Sequence, residues 1–125
     1  MKVRDVMTPD VEAVTPEDTL STAARLMAEL DAGALPVGED RQLVGMITDH
    51  DIAVRVAAEG GDPERVKVRH AMSTDVLYCF EDEDVADVSE KMGDWWVRRL
   101  PVVSGDKRLI GIVSLADLAH SHSVR

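Results

Sequence analysis

Apolar residues recur at helical spacing in two segments of the chain. In the first, four of them fall on one face of a helix: Leu20, Ala23, Met27 and Leu30. The polar run 16–19 before them predicts the helix start, because acidic groups are favoured at the positive end of the helix dipole. Gly33 is well placed to end this helix. In the second segment, Asp84 starts a helix through Val85, Val88 and Met92.

Short apolar runs around these helices predict strands. Leu35–Val37 reads as a strand with a proline, and the longer run 43–48 follows it after a polar turn. A second helix is predicted over 49–58, ended by the glycines and proline of 60–63. The same order returns later, with a strand over 107–113 and a helix over 115–120. Each half therefore predicts strand, helix, strand, strand and helix.

The chain repeats itself in three ordered blocks. Val3–Thr8 returns as Val68–Ser73, Leu35–Val37 returns as Leu100–Val102, and Gly45–Asp51 returns, after one inserted residue, as Gly111–Asp117. Three blocks in the same order indicate a tandem duplication. We expect a first motif over 1–60, a linker over 61–67 and a second motif over 68–125, packed together as one compact module.

Composition narrows the classes of protein. The 125 residues carry a formal net charge of −10, and 45% are hydrophobic, as in a globular domain. The acidic balance argues against binding to nucleic acid or to anionic lipid, since both need clustered cations. Cys79 is the only cysteine, and neither a membrane span nor a signal peptide is visible. We therefore expect a cytoplasmic protein.

The strongest chemical signal is a pattern that ends the buried strand of each half: Gly-x-x-Thr/Ser-x-x-Asp. It comprises Gly45, Thr48 and Asp51 in the first copy and Gly111, Ser114 and Asp117 in the second. A hydroxyl and a carboxylate beside a helix start suit a ribose diol and a phosphate. The same residues also form a common helix cap. Both interpretations stay open at this point.

The ordered motifs resemble those of CBS domains. Val-Arg-Asp-Val-Met-Thr, Gly-Ala-Leu-Pro-Val and Val-Gly-Met-Ile-Thr-Asp-His-Asp-Ile form one motif, and Val-Arg-Arg-Leu-Pro-Val-Val with Ile-Gly-Ile-Val-Ser-Leu-Ala-Asp-Leu belongs to another. The chain thus resembles a stand-alone bacterial CBS pair, or Bateman module. The resemblance implies an α+β fold, in which two β-α-β-β-α halves pack through their sheets with pseudo-twofold symmetry. It also implies two clefts between the halves, which in many members take AMP, ADP, ATP, NAD or S-adenosylmethionine.

The resemblance also implies roles for individual residues. Asp51 and Asp117 would hold ribose hydroxyls, with Thr48 and Ser114 beside ribose and phosphate. Other positions would wall the base pocket or meet phosphates: Met46, Ile112 and the backbone near Val14 and Cys79 for the base, and Arg98, Arg99, His50 and Arg55 for phosphate.

The two copies differ before the strand that contains the repeated proline. The second copy has Arg98 and Arg99 where the first has Gly33 and Ala34. We therefore expect the clefts to differ in charge, with one binding nucleotide well and the other weakly or not at all. The alternative is that the two arginines are solvated charges opposite the abundant carboxylates.

Further candidates have simpler interpretations beside the functional ones. His120 and His122 suggest a metal, but their spacing on a helix is poor and a frayed tail explains them. Cys79 fits a buried small hydrophobe better than a redox-sensing thiol. By the repeat, Trp95 belongs in the core or an interface, while Trp96 is exposed and could anchor a partner or a second subunit.

No nucleophile–base pair is indicated, so we expect no enzyme, no obligatory cofactor and no metal site. The first hypothesis is a homodimeric regulatory module that senses an adenine nucleotide or another adenosyl ligand. The alternative is a ligand-free dimeric protein of stress-response type that docks an unknown protein partner. A weaker idea is assembly through a metal at His120 and His122.

Overall fold

A computed structural model describes the backbone of residues 1–123 and the side chains of residues 1–119. In chain order the elements are β1 (Thr8–Pro9), α1 (Leu20–Leu30), β2 (Ala34–Glu39), β3 (Gln42–Thr48), α2 (Asp49–Ala53), β4 (Cys79–Phe80), α3 (Val85–Trp95), β5 (Arg99–Val103), β6 (Leu109–Ser114) and α4 (Leu115–Ser123). A π-helical turn, Val54–Ala58, follows α2, and 3₁₀ turns lie at Val3–Asp5 and Val68–His70. The mixed α+β class is confirmed.

The chain divides into two compact units that do not follow the sequence repeat. One, here the continuous unit, is Glu12–Val76, and the other, the discontinuous unit, joins Met1–Val11 to Leu77–Arg125. The two repeats thus exchange their N-terminal segments between the units. Buried side chains explain the exchange: Val3 lies in the core of the discontinuous unit and Val68 in the core of the continuous one.

The continuous unit is built on the antiparallel hairpin β2–β3, covered by α1 and α2. Its core lies between the hairpin and the helices and contains Val14, Leu20, Ala23, Met27, Leu35, Val37, Ile47 and Val68. Thr19 caps α1, since its hydroxyl accepts a hydrogen bond from the Thr22 amide at 3.2 Å. The predicted end at Gly33 is wrong: Asp31 ends the helix in the left-handed conformation, with φ 52°.

The discontinuous unit contains a four-stranded sheet in the order β1-β6-β5-β4. Only the β4–β5 pair is parallel. Helices α3 and α4 pack against each other, and the core comprises Val3, Cys79, Val85, Val88, Met92, Leu100, Val102, Val113 and Leu118. The first strand of each half is short. It is two residues at β4, and at Val14 it is a single parallel bridge to Val37.

The buried strand of each half runs directly into a helix. Strand β3 continues into α2 at Thr48, and β6 continues into α4 at Ser114. The helix predicted over 49–58 is α2 followed by the π-helical turn. None of the described helices has the length and apolar composition that crossing a bilayer requires.

Candidate functional site

The first strand–helix junction is a closed capping box. The Thr48 hydroxyl accepts a hydrogen bond from the Asp51 amide at 3.1 Å, and Asp51 Oδ2 accepts one from the Thr48 amide at 2.9 Å. Both side chains are half-buried. The box satisfies two amides that the start of a helix otherwise leaves without a partner.

The second junction has the same geometry. The Ser114 hydroxyl accepts from the Asp117 amide at 3.1 Å, and Asp117 Oδ2 accepts from the Ser114 amide at 3.0 Å. The capping interpretation of the repeated pattern is therefore confirmed. Each box engages one carboxylate oxygen, and an ionised carboxylate accepts at two oxygens with about four lone-pair sites. A cap and a ligand contact are thus compatible at the same aspartate.

Close backbone approach explains the glycine of the pattern. A Cβ atom on Gly111 would lie 2.9 Å from the Thr8 carbonyl oxygen and 2.7 Å from Met7 Sδ. On Gly45 it would lie 2.9 Å from both the Ser73 carbonyl oxygen and Met72 Sδ. The glycines therefore let the segment after each 3₁₀ turn pass directly over the buried strand.

The two arginines of the second copy lie across the sheet from this junction. Arg99 pairs with Ser114 in the β5–β6 register, and the Arg98 carbonyl accepts a hydrogen bond from the Leu115 amide at 2.9 Å. Both arginine side chains are exposed. Over the described part of the chain, neither forms an ion pair or a side-chain hydrogen bond, although the protein holds 24 acidic residues. The alternative that the two arginines are solvated charges stays open, since exposed side chains without ion pairs fit it as well.

The first junction has the opposite charge at the same place. Ala34 pairs with Thr48, and the Gly33 carbonyl accepts from the Asp49 amide at 2.9 Å. The Asp49 carboxylate fills the space beside Gly33, 3.1 Å from where a Cβ atom would stand. Sequence reasoning missed Asp49. Its signal was the comparison with Leu115, which begins the equivalent helix in the second copy.

Other predicted site residues lie near these junctions, in the unit to which each belongs. Met46 and Ile112 are half-buried on β3 and β6, next to the glycines. His50 is exposed in the first turn of α2, and Arg55 in the π-helical turn is already paired with Glu59 at 3.3 Å. Arg55 is therefore a weaker phosphate candidate than Arg98 or Arg99.

The Cys79 thiol is fully buried and lies 3.9 Å from the Pro101 carbonyl oxygen. Burial, with a smaller contribution from the Glu83 carboxylate, raises the pKa of Cys79 from its ordinary value to about 12. A thiol that is buried and protonated lacks the properties of a reactive cysteine. Cys79 thus packs as a small hydrophobe. Val14, the equivalent residue, is buried as well.

The repeat predicted the surroundings of one tryptophan correctly and those of the other only in part. Trp96 is 93% exposed, as expected. Trp95 is 38% exposed, so its placement in the core is wrong, and an interface stays a prediction. The repeat position of Trp95 is that of Leu30, which is also exposed at its helix end.

The side chains of His120 and His122 lie outside the described residues. Within residues 1–119, no group of three or more His, Cys, Asp or Glu side chains is arranged to hold a metal ion.

The sequence model of the CBS domain family matches residues 3–58 and again residues 68–123. The chain belongs to the CBS domain family. Among relatives of this CBS protein is the CBS domain-containing protein YhcV of Bacillus subtilis, which is 42% identical over 94% of this chain and 82% of the relative.

Solved CBS structures superimpose on nearly the whole chain. Hypoxic Response Protein I with two coordinated zinc ions is 37% identical, with a TM-score of 0.86 over 96% of this chain and 98% of that one. CBSX2 in complex with AMP is 26% identical, with a TM-score of 0.84 over 98% and 96%. The CBS pair of MJ0100, in complex with 5'-methylthioadenosine and S-adenosyl-L-methionine, is also 26% identical, with a TM-score of 0.77 over 99% and 97%. Adenosyl ligands are thus bound by proteins of this fold.

Proposed function

We propose that this protein is a non-enzymatic regulatory module that binds an adenosyl ligand, with the second junction as its principal site. The observation that carries the proposal is that two exposed arginines, Arg98 and Arg99, lie beside the capped junction Ser114–Asp117 without an ion pair to a described residue. AMP and S-adenosylmethionine, which similar CBS structures hold, provide the ligand class.

Each group at the junction has a matching part of a nucleotide. Asp117 Oδ2 takes part in the cap. The other oxygen of this carboxylate would accept hydrogen bonds from the ribose diol. The two guanidinium groups would bind phosphate oxygens, and the Ser114 hydroxyl would lie between ribose and phosphate. Ile112 and the backbone near Cys79 would border the base.

The first junction would bind the same ligand weakly. The first junction repeats the second at Met46, Thr48, Asp51 and the backbone near Val14, and it has His50 where the second copy has Ala116. It differs at Gly33, where the second copy has an arginine and the Asp49 carboxylate stands instead. A phosphate placed there would meet a carboxylate instead of a cation. We therefore propose one strong and one weak or vacant site.

Regulation would follow from differential affinity. A ligand that binds one packing of the module more tightly shifts the population toward that packing. We place the protein in the cytoplasm as a homodimer that passes this shift to a protein partner, with no nucleic acid or membrane involved.

Thermal unfolding against AMP, ADP, ATP, NAD and S-adenosylmethionine tests the proposal. A ligand at about 100 times its dissociation constant adds roughly 2.7 kcal/mol of stability, which gives a clear rise in Tm. The variant Arg98→Ala/Arg99→Ala is expected to lose the response to phosphate-bearing ligands. The matched control Arg25→Ala/Arg65→Ala removes the same charge from two exposed arginines of the continuous unit and is expected to keep it. A flat response across the panel, or equal responses of the two variants, would contradict the proposed site.

A second candidate function is favoured by Trp96. A tryptophan that is 93% exposed is an expected anchor for a protein partner. In this alternative the protein binds no nucleotide and docks its partner as a dimer of stress-response type. Replacing both arginines would then leave partner capture unchanged.

A further inference from the structure

Trp96 occupies a conformation that its residue type disfavours. It ends α3 in the left-handed region, with φ 59° and ψ 37°, and its amide bonds back to the Gly93 carbonyl at 3.3 Å. Glycine and asparagine are the usual residues there, and a bulky side chain at positive φ is uncommon. The indole is almost fully exposed, so packing in the fold does not offset this cost. The equivalent residue of the first copy, Asp31, has the same backbone geometry.

The backbone on either side of Trp96 is fixed. The Val97 amide bonds to the Met92 carbonyl at 3.1 Å, and Val97 packs against the core of the discontinuous unit. One residue later, the Arg98 carbonyl accepts from the Leu115 amide at the start of α4. Two residues of chain span at most about 7 Å, so Trp96 lies at the rim of the second junction, next to Arg98.

The order of these residues gives the direction of a bound nucleotide. Arg99 lies opposite Ser114 and Arg98 opposite Leu115, and Trp96 precedes both arginines along the chain. With the ribose at Asp117 and the phosphates at the arginines, the base attached to that ribose points away from the phosphates. An indole two residues before Arg98 is then within reach of a group joined to the phosphates on their other side.

We infer that Trp96 is a specificity-determining residue for a dinucleotide: its indole stacks on a second aromatic ring, carried beyond the phosphates of the adenosyl ligand. This inference rests on the proposed function and adds the ligand class. Stacking of a ring on an aromatic side chain is worth enough to raise affinity by about tenfold or more. The first copy has Asp31 at the position of Trp96, and Gly33 and Ala34 at those of the two arginines, so it lacks both the indole and the cations.

The test compares NAD with ADP-ribose, which has the same adenosine, phosphates and second ribose but no nicotinamide ring. Calorimetry on the full chain is expected to show NAD binding about tenfold more tightly. Trp96→Asn should abolish that difference while leaving the ADP-ribose affinity within about twofold, and Trp96→Phe should retain much of the difference. Asparagine is tolerated in the left-handed region, so the variant keeps the fold.

Fluorescence gives an independent measurement. The chain has two tryptophans, so Trp95→Phe leaves Trp96 as the only indole. NAD is then expected to quench the emission more than ADP-ribose does. Equal affinities for the two ligands, or an NAD preference that survives Trp96→Asn, would overturn the inference and leave the proposed function intact. Absence of binding by AMP, ADP-ribose and NAD alike would overturn both.

Discussion

At the residue scale, a comparison of Asp117 with Asp51 distinguishes a role in capping from a role in ligand binding. Each carboxylate closes an equivalent capping box at its own junction, so replacing either by alanine is expected to cost about 1 kcal/mol of unfolding free energy. Only Asp117→Ala should also weaken the binding of AMP or NAD, by about tenfold or more, because it removes charge-assisted hydrogen bonds worth roughly 1.5–3 kcal/mol. Urea unfolding and calorimetry on the two variants measure the two effects. Equal affinities in the two variants would assign Asp117 to the cap alone.

The Cys79 thiol gives a prediction about pH. Its pKa is raised by burial to about 12, so the folded protein holds the thiol proton more tightly than the unfolded chain does. The associated stability is fully present below pH 9 and is lost as the pH rises toward about 12. Cys79→Ala should flatten this loss, measured as unfolding free energy between pH 8 and pH 11. In the native protein at pH 8, a thiol reagent should react only as fast as the chain opens.

At the scale of elements, the glycine of each strand end is a packing requirement. Gly111→Ala places a methyl group 2.9 Å from the Thr8 carbonyl, a backbone atom that cannot move aside easily, and is expected to destabilise by about 1–3 kcal/mol. Gly93→Ala is the control, since nothing lies within 4 Å of its Cβ position inside α3. It should stabilise by about 0.5–1 kcal/mol. Urea midpoints that moved in the same direction would contradict the packing argument.

Most elements could be predicted from the sequence because their signals are local. The spacing of Leu20, Ala23 and Met27 sets α1 without tertiary help. The end of α1 was misjudged, since Asp31 adopts the left-handed conformation before Gly33 is reached. At the junctions, the capping pattern was readable in Ser114 and Asp117. The position of the Asp49 charge beside Gly33 could not be predicted from the sequence, because strand pairing brings those two residues together.

At the scale of the whole molecule, the repeat boundaries and the compact units differ. The sequence shows where a motif begins, at Val3 and Val68, but not which core its first residues enter. Val3 packs with Cys79, Val88 and Met92, far along the chain. The predicted motifs, 1–60 and 68–125, were divided by similarity along the sequence. The compact units are instead defined by which side chains are buried together in three dimensions.

This exchange predicts where a core mutation acts. Val3→Ala removes two buried methyl groups and is expected to cost about 2 kcal/mol, at roughly 0.8 kcal/mol per buried group plus the cavity. Amide hydrogen exchange should show the lost protection in α3 and β5, not in α1. The matched variant Val68→Ala, at an equally buried position of the continuous unit, should show it in α1 and β2. A substitution lowers amide protection first in the segments that pack against it. Loss of protection in α1 on Val3→Ala would therefore contradict the exchange and indicate residues 1–60 as the folding unit.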